Sequence, residues 1–367
     1  MTQIAKTFFE LLQIALNNKS CLNKIPTNQE WMGLYDMACK QSLAGVALEG
    51  INKLIAGGAE KPPMSLLYEW IGLQQQTIAQ NQLLNKRAGE LCKLFEREGV
   101  QSCVLKGQGT ALYYDKPELR QCGDIDIWVK KHTENAGVPD ILRTVESLGY
   151  QYDGVTIQHV NVHFFDDVIV EVHFLPTFMY NYFTNKKIEE FIRKKEATQF
   201  KNKDEKAGFT HTTIDFDLVF SIVHIYRHIF SEGIGLRQLM DYYYILRRSA
   251  ENQREEAFKA LESLNMGKFA AGVMWILREC FGMNEDYLLC PVNERHGEFL
   301  LSEIMLSGNF GQYDDRVLRI NFEKRFARGF VQLKRNLGFL GYYPSEVLWS
   351  PSWKLWHWCW RKKKGYL

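Results

Sequence analysis

Along most of this 367-residue chain the apolar residues recur at every third or fourth position, but between residues 99 and about 176 they alternate. That change of period limits the fold more than any other feature, because it marks short strands set among helices. The helical period runs through Phe8, Leu11, Leu12 and Ala15 and again through Leu84, Leu91, Leu94 and Phe95, with "EKPPMS" at 60–65 interrupting it. Gly99 ends a helix in "FEREGV", and "QSCVL" at 101–105 reads as the first strand. A helix over 107–114, a strand over 125–129, a helix over about 134–148 and two strands, 159–165 and 168–174, follow. The reversal at Asp166 and Asp167 makes the last two a hairpin. The expectation is an α+β chain with a small mixed sheet between helical regions. Its segments are 1–98 (helical), 99–180 (α/β core), 181–310 (helical) and 311–367 (basic and Trp-rich).

The bulk properties narrow the partners. Forty-five basic against 43 acidic residues leave a net charge of +2, so no global field draws the chain to nucleic acid or to an acidic surface. The first residues, "MTQIAKTFFELLQIALNN", lack the basic start and uninterrupted apolar run of a secretory signal, and nowhere do eighteen apolar residues stand together. A soluble, cytoplasmic protein is expected. Eight cysteines are scattered without a C-x-x-C pair, which suggests reduced, mostly buried thiols rather than a disulfide framework or a zinc site.

Within the core, "QCGDIDIWV" (121–129) sets two aspartates inside an apolar run. Side chains of a strand alternate, so Asp124 and Asp126 share one face while Ile125 and Ile127 take the other. Two carboxylates about 7 Å apart along a strand repel, and a divalent cation compensates both. Mg²⁺ suits such an oxygen pair, although D-x-D also occurs in glycosyltransferases, calcium loops and plain exposed strands. Three neighbours strengthen the metal reading. "VLKGQGTALYYD" places Lys106, Gly107 and Gly109 between a strand and a helix, where backbone N–H groups approach a phosphate. Arg120 and Gly123 stand just upstream of the aspartates, and "VIVEVHF" presents Glu171 on a later strand as a third carboxylate, with His173 on the same face.

Together, "VLKG-x2-TALYY", "LRQCGDIDIWV" and "VIVEVHF" resemble the polymerase β-like nucleotidyltransferase superfamily, in particular a bacterial branch of uncharacterised nucleotidyltransferases. The resemblance implies that Asp124, Asp126 and Glu171 hold two Mg²⁺ ions and that Lys106, Gly107, Gly109, Thr110, Arg120 and Gly123 form the nucleotide and phosphate site. The superfamily's usual Gly-Ser at the phosphate turn is here Lys106-Gly107. It extends to "SIVHIYRHIFSEGIGLRQLMDYYYIL", where His224 and His228, and Arg237 and Asp241, stand four apart on helix faces. With His173 these are candidates for a wall of the site. The histidines also fit a helix–helix hydrogen-bond cluster or, without an H-E-x-x-H glutamate, a zinc pair; Arg237 and Asp241 also fit a structural ion pair.

The function implied is transfer of a nucleoside monophosphate from an NTP such as ATP to an acceptor hydroxyl, with pyrophosphate leaving and Glu171 available to take the proton. Removing either aspartate is expected to abolish activity with the fold nearly intact. A catalytically silent nucleotide-binding scaffold and a D-x-D glycosyltransferase are the alternatives. The acceptor stays open among small molecules, glycan precursors, RNA and protein. The C-terminal run has Arg316, Arg319, Lys324, Arg325, Arg328, Lys334 and Arg335, then "LWSPSWKLWHWCWRKKKGYL". It suits nucleic-acid stacking, a membrane surface or another anionic partner, or a terminal helix docking Trp353, Trp356 and Trp360. Stable DNA binding is not expected.

Overall fold

The computed structural model describes residues 1–131, 137–314 and 325–367, the side chains of 325–330 excepted. Arg316, Arg319 and Lys324 of the basic run, and residues 134–136 of the expected fourth element, lie outside the described residues, as do the side chains of Arg325 and Arg328. The chain divides into two units: Met1–Ala79, Tyr114–Gln121 and Ser221–Gly338 form one, and Gln80–Tyr113, Cys122–Phe220 and Phe339–Leu367 form the other.

The first unit is helical. Thr27 starts Asn28–Lys40 with a capping box, its hydroxyl accepting from the Glu30 N–H while the Glu30 carboxylate accepts from the Thr27 N–H. Gln3–Ala15 crosses Ala44–Ala56 so closely that a Cβ on Gly50 would stand 2.4 Å from the Leu11 carbonyl oxygen, so only glycine fits there. Further along come Leu236–Arg248, Glu251–Ser263, Gly267–Phe281 and Glu294–Ser307. Every residue from Leu236 to Leu246 is buried. A helix enclosed on all sides must find partners for its polar side chains, here Arg237, Gln238 and Asp241.

The second unit is built on a five-stranded mixed sheet: β1 Val100–Val104, β2 Ile125–Lys131, β3 Tyr152–Asp153, β4 His159–Val162 and β5 Val170–His173, in the order β1-β2-β5-β4-β3. β2 and β5 run parallel, and the other neighbours antiparallel. One face is apolar. Ile125, Ile127, Val129, Val160, Val162, Val170 and Val172 pack there with Leu84, Leu91 and Phe95 of Met64–Arg97 and with Ile141, Leu142 and Val145 of Val138–Ser147. The opposite face carries Asp126, Trp128, His159, Asn161, Glu171 and His173, the alternate positions of the same strands.

Some expected elements change in length, and one is added. β4 stops at Val162, where the Phe164 N–H turns back to the Val162 carbonyl. β3 is a short edge strand absent from the sequence reading. The helix expected over 107–114 shrinks to Gln108–Ala111, because the Leu112 and Tyr113 N–H groups bond to carbonyls only three residues back. In the charged connector, Tyr182–Gln199 is a helix, and the rest includes a hairpin of Lys203–Asp204 with Phe209–Thr210. All eight cysteines are free thiols, but only Cys103, Cys280 and Cys290 are buried; Cys21 and Cys359 are exposed.

Pro344–Lys364 docks by its inner face. Glu346 accepts hydrogen bonds from the N–H groups of Tyr180 and Asn181 at 2.8 and 3.2 Å, and Trp353 stacks on Phe178 with ring centres 4.4 Å apart. His357 stacks between Trp353 and Trp360, and its Nε2 accepts the Ile157 N–H at 3.3 Å. Of the three expected docking tryptophans, Trp356 instead stands exposed. Only a neutral imidazole accepts through Nε2. Burial pushes His357 down to about 4, helped by the neighbouring Arg361 charge. With the folded value below the unfolded one near 6.5, its contribution to stability is full above about pH 6.5 and is lost as the pH falls through about 4. The expected result is a tryptophan-fluorescence change over that interval that His357→Gln, which keeps an acceptor, removes. An identical profile in the variant would show that other groups drive the change.

Candidate active site

β2 and β5 build the centre of the site. Parallel pairing sets Asp126 directly beside Glu171 and Trp128 beside His173. Asp124 lies just before β2, so the three carboxylates converge, each offering an oxygen within 4.8 Å of the others. Repulsion at such spacing demands positive charge, and two side chains supply it. Lys106 reaches Asp126 Oδ2 at 2.8 Å from the turn after β1, and His173 Nε2 donates to Asp126 Oδ1 at 2.9 Å and stands 3.4 Å from Glu171.

These contacts decide the ionisation. Burial alone would raise the Asp126 carboxyl, but Lys106 and the His173 hydrogen bond outweigh it and hold the group below its usual value. For Glu171 burial also opposes, yet His173 and His159 hold it at about 2. Burial would depress His173, but its bonds to Asp126 and Glu171 raise it to about 9. Lys106, despite burial, is raised by the charges of Asp126, Asp124 and Glu171. Asp126 and Glu171 are thus held as carboxylates, and Lys106 and His173 as cations, at neutral pH. Its hard oxygen donors fit a divalent cation such as Mg²⁺, with Asp124 half-exposed at the edge and Asp126 enclosed at the base.

The turn residues divide. Gly107 takes φ +61°, a conformation that favours glycine, and Lys106 and Gly107 are half-exposed. Gly109 and Thr110 are buried instead; a Cβ on Gly109 would stand 3.2 Å from the Val104 carbonyl oxygen and from the His211 Cβ. Gly109 therefore serves close packing. The helix that was expected to aim its N-terminus at phosphate is a single turn, so the charge available from this turn is that of Lys106. Gly123 is exposed, with open space where a side chain would be.

The remaining residues singled out in the sequence belong to the helical unit. Arg120 is buried, and its Nε and Nη2 donate to the two oxygens of Asp241 at 2.7 and 2.8 Å. Tyr114 adds its hydroxyl to Asp241 at 2.7 Å. The ion pair that four-residue spacing suggested between Arg237 and Asp241 is therefore replaced by Arg120–Asp241, and Arg237 Nη1 donates to the Gln121 carbonyl at 2.8 Å. This pairing occupies the guanidinium expected to meet phosphate. His224 and His228 lie with ring centres 4.3 Å apart, and His228 Nδ1 is 3.7 Å from Glu232.

One residue of the site escaped the sequence reading. His159 pairs across the β4–β5 register with His173, and its Nδ1 lies 3.8 Å from Glu171. Burial keeps it below its usual value. The available signal was the hairpin itself, which sets the even alternation of "HVNV" opposite that of "VEVH".

Three carboxylates on and beside two parallel strands of a small mixed sheet, flanked by a lysine, form a cluster of oxygen donors that could hold a metal ion. The uncharacterised nucleotidyltransferase family matches residues 27–282, and the chain belongs to that family. It is a transferase of phosphorus-containing groups. No curated protein matches it.

Proposed function

We propose that the chain transfers a nucleoside monophosphate from an NTP to an acceptor hydroxyl, releasing pyrophosphate, at Asp124, Asp126 and Glu171. The observation that carries this reading is the convergence of their three carboxylates within 4.8 Å. A Mg²⁺ ion, which these oxygens would hold, would supply Lewis-acid polarisation of the phosphoryl group and acidify a hydroxyl beside it. Asp124, half-exposed at the edge of the cluster, would be the outer ligand of that cation. Asp126 is kept ionised and oriented by Lys106 and His173. Glu171, held at about 2, is a weak base and serves as a ligand rather than a proton acceptor. Lys106 stands where a positive charge offsets that of the triphosphate.

Calorimetric titration of each NTP, with and without Mg²⁺, into the wild type and Asp124→Ala tests this. Binding is expected to require Mg²⁺ and to weaken at least about tenfold in the variant, with an unchanged melting curve. Failure of a well-folded wild type to bind any NTP would overturn the reading.

A further inference from the structure

The helix Pro344–Lys364 is apolar on both faces, and one of them meets solvent. Its inner half buries Glu346, Val347 and Ser350. On the outer half Leu348 is 68% exposed, Leu355 64% and Trp358 50%. Leu348, Leu355, Cys359 and Lys362 follow one another at helical spacing, so the middle of this face is a continuous apolar line ending in a cation. The patch extends beyond the helix, because exposed Phe183 meets the edge of Trp349 at 6.1 Å. A terminal helix that served only to close a core would turn polar side chains outward.

Charge points to what covers the face. The helix has a single acid, Glu346, and it is buried with its carboxylate bonded to the N–H groups of Tyr180 and Asn181. Its last turn carries Arg361, Lys362, Lys363 and Lys364, and Lys362 lies 5.3 Å over the Trp358 ring. We propose that this outer face is a docking surface for an anionic lipid bilayer, with Leu348, Leu355 and Trp358 entering the interface and the terminal lysines meeting the headgroups. Among the described residues no helix is long and apolar enough to cross a membrane, so the helix lies along the surface. A single-stranded nucleic acid is the poorer fit. It needs rings spaced along a cationic groove, whereas the exposed rings here stand among the aliphatic Leu348 and Leu355, and four of the helix's five cations gather in its last turn. The inference is independent of the transferase reading.

Sedimentation of the full chain with phosphatidylcholine vesicles, with and without phosphatidylglycerol, tests it. The wild type is expected to sediment with the anionic vesicles only, less so as salt rises. Leu355→Glu combined with Trp358→Glu is expected to weaken binding at least about tenfold, and Lys362→Glu with Lys363→Glu to remove the preference for anionic lipid. Both variants should keep the wild-type melting curve and Mg²⁺-dependent NTP binding. No vesicle binding by the folded wild type, or equal binding by the apolar variant, overturns the proposal. So does binding to single-stranded RNA without binding to vesicles, or self-association that Leu355→Glu abolishes in the absence of any vesicle binding.

Discussion

Asp124→Ala is expected to lower nucleotidyl transfer by about a thousandfold, read as pyrophosphate release, while leaving the urea midpoint unchanged. Asp124 is half-exposed, so its removal leaves the core intact. Asp126→Ala is expected to lose activity to the same extent and stability as well. Asp126 is 1% exposed and bears both Lys106 at 2.8 Å and His173 at 2.9 Å, so its removal leaves the half-exposed Lys106 and the buried His173 short of their partner. Breaking a buried pair costs about 3–5 kcal/mol, and the lower end applies because His173 stays 3.4 Å from Glu171. The expectation that either aspartate is removable with the fold nearly intact is therefore kept as a prediction for Asp124 and revised for Asp126, whose burial and two partners the spacing alone did not show. Full activity in Asp124→Ala would remove the carboxylates from the reaction. Wild-type stability in Asp126→Ala would show that the buried pairing contributes nothing.

Asp241→Ala is expected to destabilise the helical unit by about 3–5 kcal/mol, because it leaves the Arg120 guanidinium buried without its carboxylate. The Tyr114 hydroxyl loses its acceptor at the same time. Replacing the pair together, Arg120→Met with Asp241→Leu, is expected to cost less than Asp241→Ala alone, since no buried charge is then stranded. Urea denaturation of the three proteins measures this. If the double variant were the least stable, Arg120 and Asp241 would matter for packing rather than for charge.

These two clusters differ in how far the sequence disclosed them. The shared face of Asp124 and Asp126 was legible, because alternation along a strand is local. That Glu171 is the direct neighbour of Asp126 was not, since 45 residues separate them and only the parallel register joins them. His159 was overlooked although the local β4–β5 hairpin sets it opposite His173. Arg120–Asp241 was misassigned because four-residue spacing favoured Arg237, while Arg120 lies 121 residues from its partner.

The amino-acid sequence by itself determined the alternation of strands and helices, the shared face of the two D-x-D aspartates and the basic, Trp-rich end, all consequences of periodicity and composition within a few residues. Only the tertiary structure decided which carboxylates converge, that Lys106 and His173 hold Asp126 ionised, that Gly109 serves packing, and which face of the terminal helix is left to solvent. Those outcomes depend on register, burial and charge between residues far apart in the chain, and local periodicity carries no information about them.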